Sequence, residues 1–152
     1  MLCCNMEIPR VTVAVGTYEG VLAGWQYKEQ FEISFATPVH GGSIRSLALA
    51  ENGLLLSCGY DEYLQTHDFR RKLTSSGQIR TPSDMGTPVC SSFGPPYSGK
   101  PRPEKTTGPS ENSSHCIVGF SSGQLAIYKK RDWSVQHVLQ GHQGGVSAWA
   151  VH

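Results

Sequence analysis

Two patterns in this sequence hold residue types able to do covalent or proton-transfer chemistry. Gly119-Phe120-Ser121-Ser122-Gly123 matches the G-x-S-x-G elbow, which presents a serine nucleophile on a sharp strand-to-helix turn. A helix must follow, yet the next residues are QLAIY (124–128), a strand-forming run. The hydrolase reading of Ser121 is therefore set aside. His40 and Asp61 form the second pattern, an imidazole and a carboxylate that can move a proton as a pair; spacing alone leaves a catalytic and a structural use open. The five cysteines (Cys3, Cys4, Cys58, Cys90 and Cys116) are odd in number and include no C-x-x-C, so neither a disulfide framework nor a zinc site is expected. Reduced, partly buried thiols are the expectation. No catalytic, metal-ligating or cofactor-binding residue is assigned, and no cofactor or small-molecule substrate is expected.

Binding motifs are sparse. Lys129-Lys130-Arg131 beside Trp133 has the charge to touch RNA phosphates, but three charges in a turn usually form only a solvated face. Lys100-Pro101-Arg102-Pro103 suits a polyproline ligand, although its surroundings read as an ordinary disordered loop. The net charge is only +1, which gives no strong pull toward nucleic acid. The opening MLCCNMEIPR lacks the apolar core of a secretory signal, and no apolar run approaches the roughly 20 residues of a membrane helix. No membrane partner is expected, and the Asn112-Ser113-Ser114 sequon is taken as chance.

The elements that must position these residues come from a repeat. Segments 15–26 (VGTYEGVLAGWQ), 57–68 (SCGYDEYLQTHD) and 118–129 (VGFSSGQLAIYK) align on Gly16, Cys58 and Gly119. Six residues on stand Leu22, Leu64 and Leu125; nine residues on stand the rings of Trp25, His67 and Tyr128; three residues on stand Glu19, Asp61 and Ser122. A second pattern precedes strand-like runs: His40, Ile44, Leu47, Ala48 and Leu49 recur as His142, Val146, Trp149, Ala150 and Val151. The anchors lie 42 and then 61 residues apart. The longer interval holds the stretch 94–114, in which twelve of 21 residues are Pro, Gly or Ser and none is Val, Ile, Leu or Phe. Such a stretch cannot bury enough apolar surface to order itself. Removing it restores a period near 42, within the roughly 40–45 residues of a four-stranded propeller blade.

Seventeen glycines and nine prolines favour short strands and frequent turns. Strands are expected at 11–15, 21–25, 31–35, 44–49, 54–57, 63–67, 116–119, 125–128, 135–139 and 146–151. The fold class is all-β: a partial propeller of about three blades plus one strand. Residues 1–10 form a disordered N-terminus. Within 11–152, residues 11–40 make a blade lacking its first strand and 41–86 a second blade. Residues 87–141 make a third blade containing the insert 94–114, and 142–152 the first strand of the next.

These residues resemble WD-repeat proteins, in which Gly-His precedes a blade and Trp-Asp closes its third strand. Gly141-His142 keeps the first pair; His67-Asp68 keeps only the acid, and Trp25-Gln26 and Tyr128-Lys129 only the ring. More narrowly, VAVGTYEGVLAGW (13–25), Tyr60-Asp61-Glu62 and LAIYKKRDWSVQHVLQGHQGGV (125–146) are similar to the p21-activated-kinase-interacting protein family, whose yeast member is a nucleolar assembly factor of the large ribosomal subunit. The resemblance implies a seven-bladed ring, of which this chain holds about half. It also implies a non-enzymatic scaffold that docks pre-ribosomal protein partners in the nucleolus during 60S biogenesis and rRNA processing. The alternatives are a negative regulator binding a p21-activated kinase and a non-functional truncated fragment. It further implies a buried network of His40, Ser57, Asp61 and His67, with His142 serving the next blade, around a repeat core of Leu22, Leu64, Leu125, Trp25 and Tyr128.

Overall fold

The computed structural model describes residues 11–27, 29–50, 52–68, 73–94 and 114–149. The N-terminal segment 1–10, nearly all of the insert, the Lys100–Pro103 motif and residues 150–152 lie outside the described residues.

Eleven strands and no helix occur among the described residues. The first sheet holds β1 (Val11–Gly16), β2 (Val21–Tyr27) and β3 (Phe31–Pro38) in that order. The second holds β4 (Ile44–Leu49), β5 (Leu54–Gly59), β6 (Tyr63–Asp68) and β7 (Thr74–Arg80); the third holds β8 (Pro88–Phe93), β9 (His115–Phe120), β10 (Gln124–Lys129) and β11 (Val135–Gln140). Each sheet is an antiparallel meander, its strands pairing in chain order. The sheets meet through their early strands: β8 lies against β4 and β5, and β4 meets β1. Ser46 and Ser91 tie β4 to β8, their hydroxyls 2.9 Å apart, while the Ser91 N–H donates to the Ser46 hydroxyl. Sheets joined at one edge and splaying at the other are propeller blades, as the repeat predicts.

Burial follows from this arrangement. Five of the six residues of β5 are buried, since the strand lies between β4 and β6 in its own sheet and against β8 of the third, whereas β11 is exposed throughout and β3 nearly so. The core between the second and third sheets is built from Leu56, Leu64, Val118, Phe120, Ala126 and Tyr128. Each large apolar side chain removed from water there contributes about 1.5–3 kcal/mol. The bond between blades also depends on glycine: a Cβ on Gly16 would fall 2.4 Å from the Ile44 side chain.

Three differences from the sequence expectation stand out. Strands β7 (TSSGQIR) and β8 (PVCSSF) carry too few large apolar residues to announce themselves by periodicity; sheet pairing decides them. Residues 146–149 carry no ladder, although a strand was expected over 146–151. A strand is defined by its partner's hydrogen bonds, and none of the described residues supplies them. In the repeat core, Leu22 and Leu64 are fully buried and Tyr128 nearly so, but Leu125 and Trp25 are only half-buried. The next residue, Ala126, is fully buried in the third sheet instead.

Candidate functional site

His40 lies just ahead of β4, Ser57 on β5, Asp61 in the β5–β6 turn and His67 on β6. The structure brings all four together. His40 Nδ1 is 3.0 Å from Asp61 Oδ1, and its Nε2 is 2.9 Å from the Ser57 hydroxyl. The Ser57 hydroxyl is in turn 3.2 Å from His67 Nε2. One proton arrangement satisfies every member: His67 Nε2–H donates to Ser57, Ser57 donates to His40 Nε2, and His40 Nδ1–H donates to Asp61. Asp61 also accepts the backbone N–H of Gly41 at 2.8 Å and of Tyr63 at 3.3 Å, so it fixes both the turn and the loop before β4. Burial, then the nearby His40, pushes the His67 imidazole down to about 4, so it is neutral at neutral pH. Gly59 makes room for the pair; a Cβ there would sit 2.2 Å from His40 Nδ1 and 2.3 Å from Asp61 Oδ1.

The third sheet keeps the ring but loses the network. Tyr128 takes the place of His67, Val118 that of Ser57, and Ser122 that of Asp61. Ser122 turns its hydroxyl to Gln124 Oε1 at 3.1 Å. The Tyr128 hydroxyl is buried without a hydrogen-bond partner among the described residues, and burial raises it well above the ordinary phenol range.

His142 is exposed, and the partners expected of it belong to a next blade that lies outside the described residues. His40 finds its carboxylate 21 residues later, and the matching position after His142 would fall past residue 152. The backbone around His142 nonetheless repeats that around His40. Ile44 N–H donates to Thr17 O at 3.0 Å, and Val146 N–H to Phe120 O at 3.0 Å. Ile44 packs on Gly16, Val146 on Gly119.

Above the His40–Asp61 pair lies an open depression of about 490 Å³ lined by Tyr18, Glu19, Gly41, Ser43, Arg45 and Tyr60. Tyr18 is 85% exposed and Tyr60 60% exposed. Two phenol rings, a guanidinium and a carboxylate around a backbone floor can grip a polypeptide by stacking, hydrogen bonds and ion pairs. The sequence names Tyr18 and Tyr60 only within segments that carry the family resemblance, not as site residues. The available signal was the repeat itself, because each stands two residues after its anchor, Gly16 or Cys58.

The remaining candidates carry no visible chemistry. Ser121 sits between β9 and β10, a strand–turn–strand context in place of the elbow's helix, and its hydroxyl accepts the Thr87 N–H at 3.1 Å. Lys130 turns inward, with its ammonium 5.5 Å from the centre of the Phe93 ring, so the basic run presents no continuous phosphate-facing patch. Burial pushes the Cys58 thiol up to about 12 and raises Cys116 and Cys90 as well; protonated thiols are poor nucleophiles. Cys3 and Cys4 lie outside the described residues.

No family model matches the chain, and no curated protein does. Solved structures do. Sqt1 of Saccharomyces cerevisiae is similar with a TM-score of 0.69 at 15% identity, over 90% of this chain and 32% of that one. Sqt1 of Chaetomium thermophilum, bound to the N-terminus of the ribosomal protein L10, is similar with a TM-score of 0.73 at 17% identity, over 91% of this chain and 35% of that one. A chain of the mitotic checkpoint complex is similar with a TM-score of 0.68 at 15% identity, over 91% of this chain and 37% of that one. The chain spans about a third of the length of these proteins. At such identities the likeness speaks for architecture: the chain has the fold of part of a WD40 β-propeller.

Proposed function

We propose that this chain is a non-enzymatic docking scaffold that holds protein partners during maturation of the large ribosomal subunit, in the nucleolus. The observation that carries the docking role is the exposed Tyr18–Tyr60–Arg45 depression, set on a loop that Asp61 pins from below. Rigid scaffolds present binding groups on their loops in this way. In the same reading, His40, Ser57, Asp61 and His67 form a structural network: their polar atoms bond to one another and to the backbone. Support for the ribosomal step comes from the resemblance in residues 13–25, 60–62 and 125–146 and from the likeness to Sqt1 captured with the end of a ribosomal protein.

Affinity purification of the tagged chain tests the proposal. Pre-ribosomal factors or ribosomal proteins should be recovered, and Tyr18→Ala with Tyr60→Ala should release them, each ring contributing about 2 kcal/mol as interface hot spots do. Recovery of a p21-activated kinase through its regulatory segment, with nothing ribosomal, would overturn the ribosomal assignment. Labelling of Ser121 by a fluorophosphonate would overturn the non-enzymatic one.

A further inference from the structure

One motif stands apart from that role: the basic run Lys129-Lys130-Arg131 leads through Asp132 and Trp133 to Ser134. These residues join β10, which ends at Lys129, to β11, which begins at Val135. The Lys129 N–H donates to Ser134 O at 2.9 Å, and the Trp133 backbone N–H to Lys129 O at 2.8 Å. The Ser134 hydroxyl donates to Asp132 Oδ1 at 2.6 Å, and the Ser134 N–H to the same oxygen at 3.1 Å. The hydroxyl, then the amide, hold the Asp132 carboxyl below the usual carboxylate range, so it is an anion at neutral pH. Trp133 takes a φ of 56° and is half-buried against the core between the second and third sheets. A left-handed backbone on such a residue costs about 1–3 kcal/mol. The Lys130 ammonium is buried without a hydrogen-bond partner among the described residues, a further cost that opening the turn relieves. The Ser134–Asp132 pairing thus closes the turn against two local penalties.

Ser134 is exposed, as is Arg131 three residues before it, and Lys129 and Lys130 extend the positive charge. Serine kinases with acidic substrate grooves select such a serine by charge complementarity. Among the described residues, the other serine three after an arginine is Ser83, after Arg80, and no second cation stands beside that arginine. We propose that Ser134 is a phosphorylation site for an arginine-directed serine kinase, and that the phosphate opens the β10–β11 turn and releases Trp133. In the transfer, Ser134 Oγ bonds to the γ-phosphorus of a nucleoside triphosphate. The bond from that phosphorus to its bridging oxygen breaks, the nucleoside diphosphate leaves, and the hydroxyl proton passes to the kinase's carboxylate base. The product has no Oγ–H to give Asp132 and sets a charge of about −2 beside its carboxylate. Repulsion then replaces the bond that closed the turn. A kinase reads an extended segment, and the end of an exposed hairpin opens without unfolding the sheets.

The full chain incubated with a nucleoside triphosphate and cyclic-AMP-dependent protein kinase, an arginine-directed enzyme, tests this. Mass-spectrometric mapping should place phosphate on Ser134. Arg131→Ala should slow its incorporation there by about tenfold, the loss of one charge-assisted contact. Tryptophan emission should move to longer wavelength with the far-UV circular dichroism spectrum unchanged, and a Trp133→Phe chain should take the phosphate without that move. No phosphate on Ser134, whether or not Ser83 is modified, overturns the inference. So does an unchanged rate in Arg131→Ala, or a Ser134 phosphate that leaves the emission where it was. Should either variant fail to fold, the unmodified chain decides alone, by the site map and by emission that shifts on phosphorylation and returns on phosphatase treatment.

Discussion

Asp61 accepts hydrogen bonds from an imidazole and two backbone amides, so one carboxylate serves a strand, a turn and a loop together. Asp61→Ala strands all three donors and should cost about 3 kcal/mol in denaturant unfolding, the size of a broken buried network. Asp61→Asn keeps an acceptor and should cost less. The Tyr128 hydroxyl is the opposite case. Buried without a partner among the described residues, it carries an uncompensated desolvation penalty, so Tyr128→Phe should leave stability unchanged or raise it by about 1 kcal/mol. A loss above that size would show that the hydroxyl has a partner. Tyr128 holds the blade position of His67, but the hydroxyl of Ser57 that meets the His67 ring is replaced at the corresponding position by the apolar Val118.

At the scale of the element, the turn linking the second and third strands of a complete blade uses a left-handed backbone at its fourth residue after the anchor. Gly20 and Gly123 take φ values of 78° and 90° there, and Glu62 takes 65°. A side chain in that region is strained by its own Cβ. Glu62→Gly should therefore raise the unfolding free energy by about 0.5–1 kcal/mol, after allowing for glycine's larger unfolded-state entropy. Gly123→Ala should lower it by more than 1 kcal/mol, since the conformation is unfavourable for alanine and the new Cβ would fall 2.4 Å from His142 O. Equal effects of the two substitutions would contradict this account of the turn.

For the molecule as a whole, His67 links stability to pH. Its ordinary value of 6.5 in the unfolded chain falls to about 4 in the fold, so the unfolded state takes up the proton first as pH drops. The stability is complete above 6.5 and declines as pH falls toward 4, by at most about 3 kcal/mol. Chemical unfolding at pH 7 and pH 4.5 should show this decline in the unmodified chain and a smaller one in His67→Phe. Identical slopes would mean that His67 is not the group that titrates. Phenylalanine keeps the ring's packing against β5 while removing the ionisable nitrogen, so the comparison isolates charge from volume.

Much of the fold was legible because the leucine, the ring and the turn residue recur at fixed offsets. A side chain's place in a four-stranded meander depends on local spacing, and spacing is written in the sequence: Leu22, Leu64 and Leu125 do fall on β2, β6 and β10. The meeting of His40 with Asp61 was legible in the same way, by resemblance. What only the tertiary structure decided depends on neighbours far along the chain. Polar strands such as β7 exist through their partners, and Leu125 is half-exposed because Ala126 takes the packed place. Val146 can dock as Ile44 does and still form no strand, because a ladder needs a second set of hydrogen-bonding groups. The Tyr18–Tyr60 depression likewise belongs to no single repeat: two adjacent sheets and the loop between them create it, and a concavity has no residue spacing of its own.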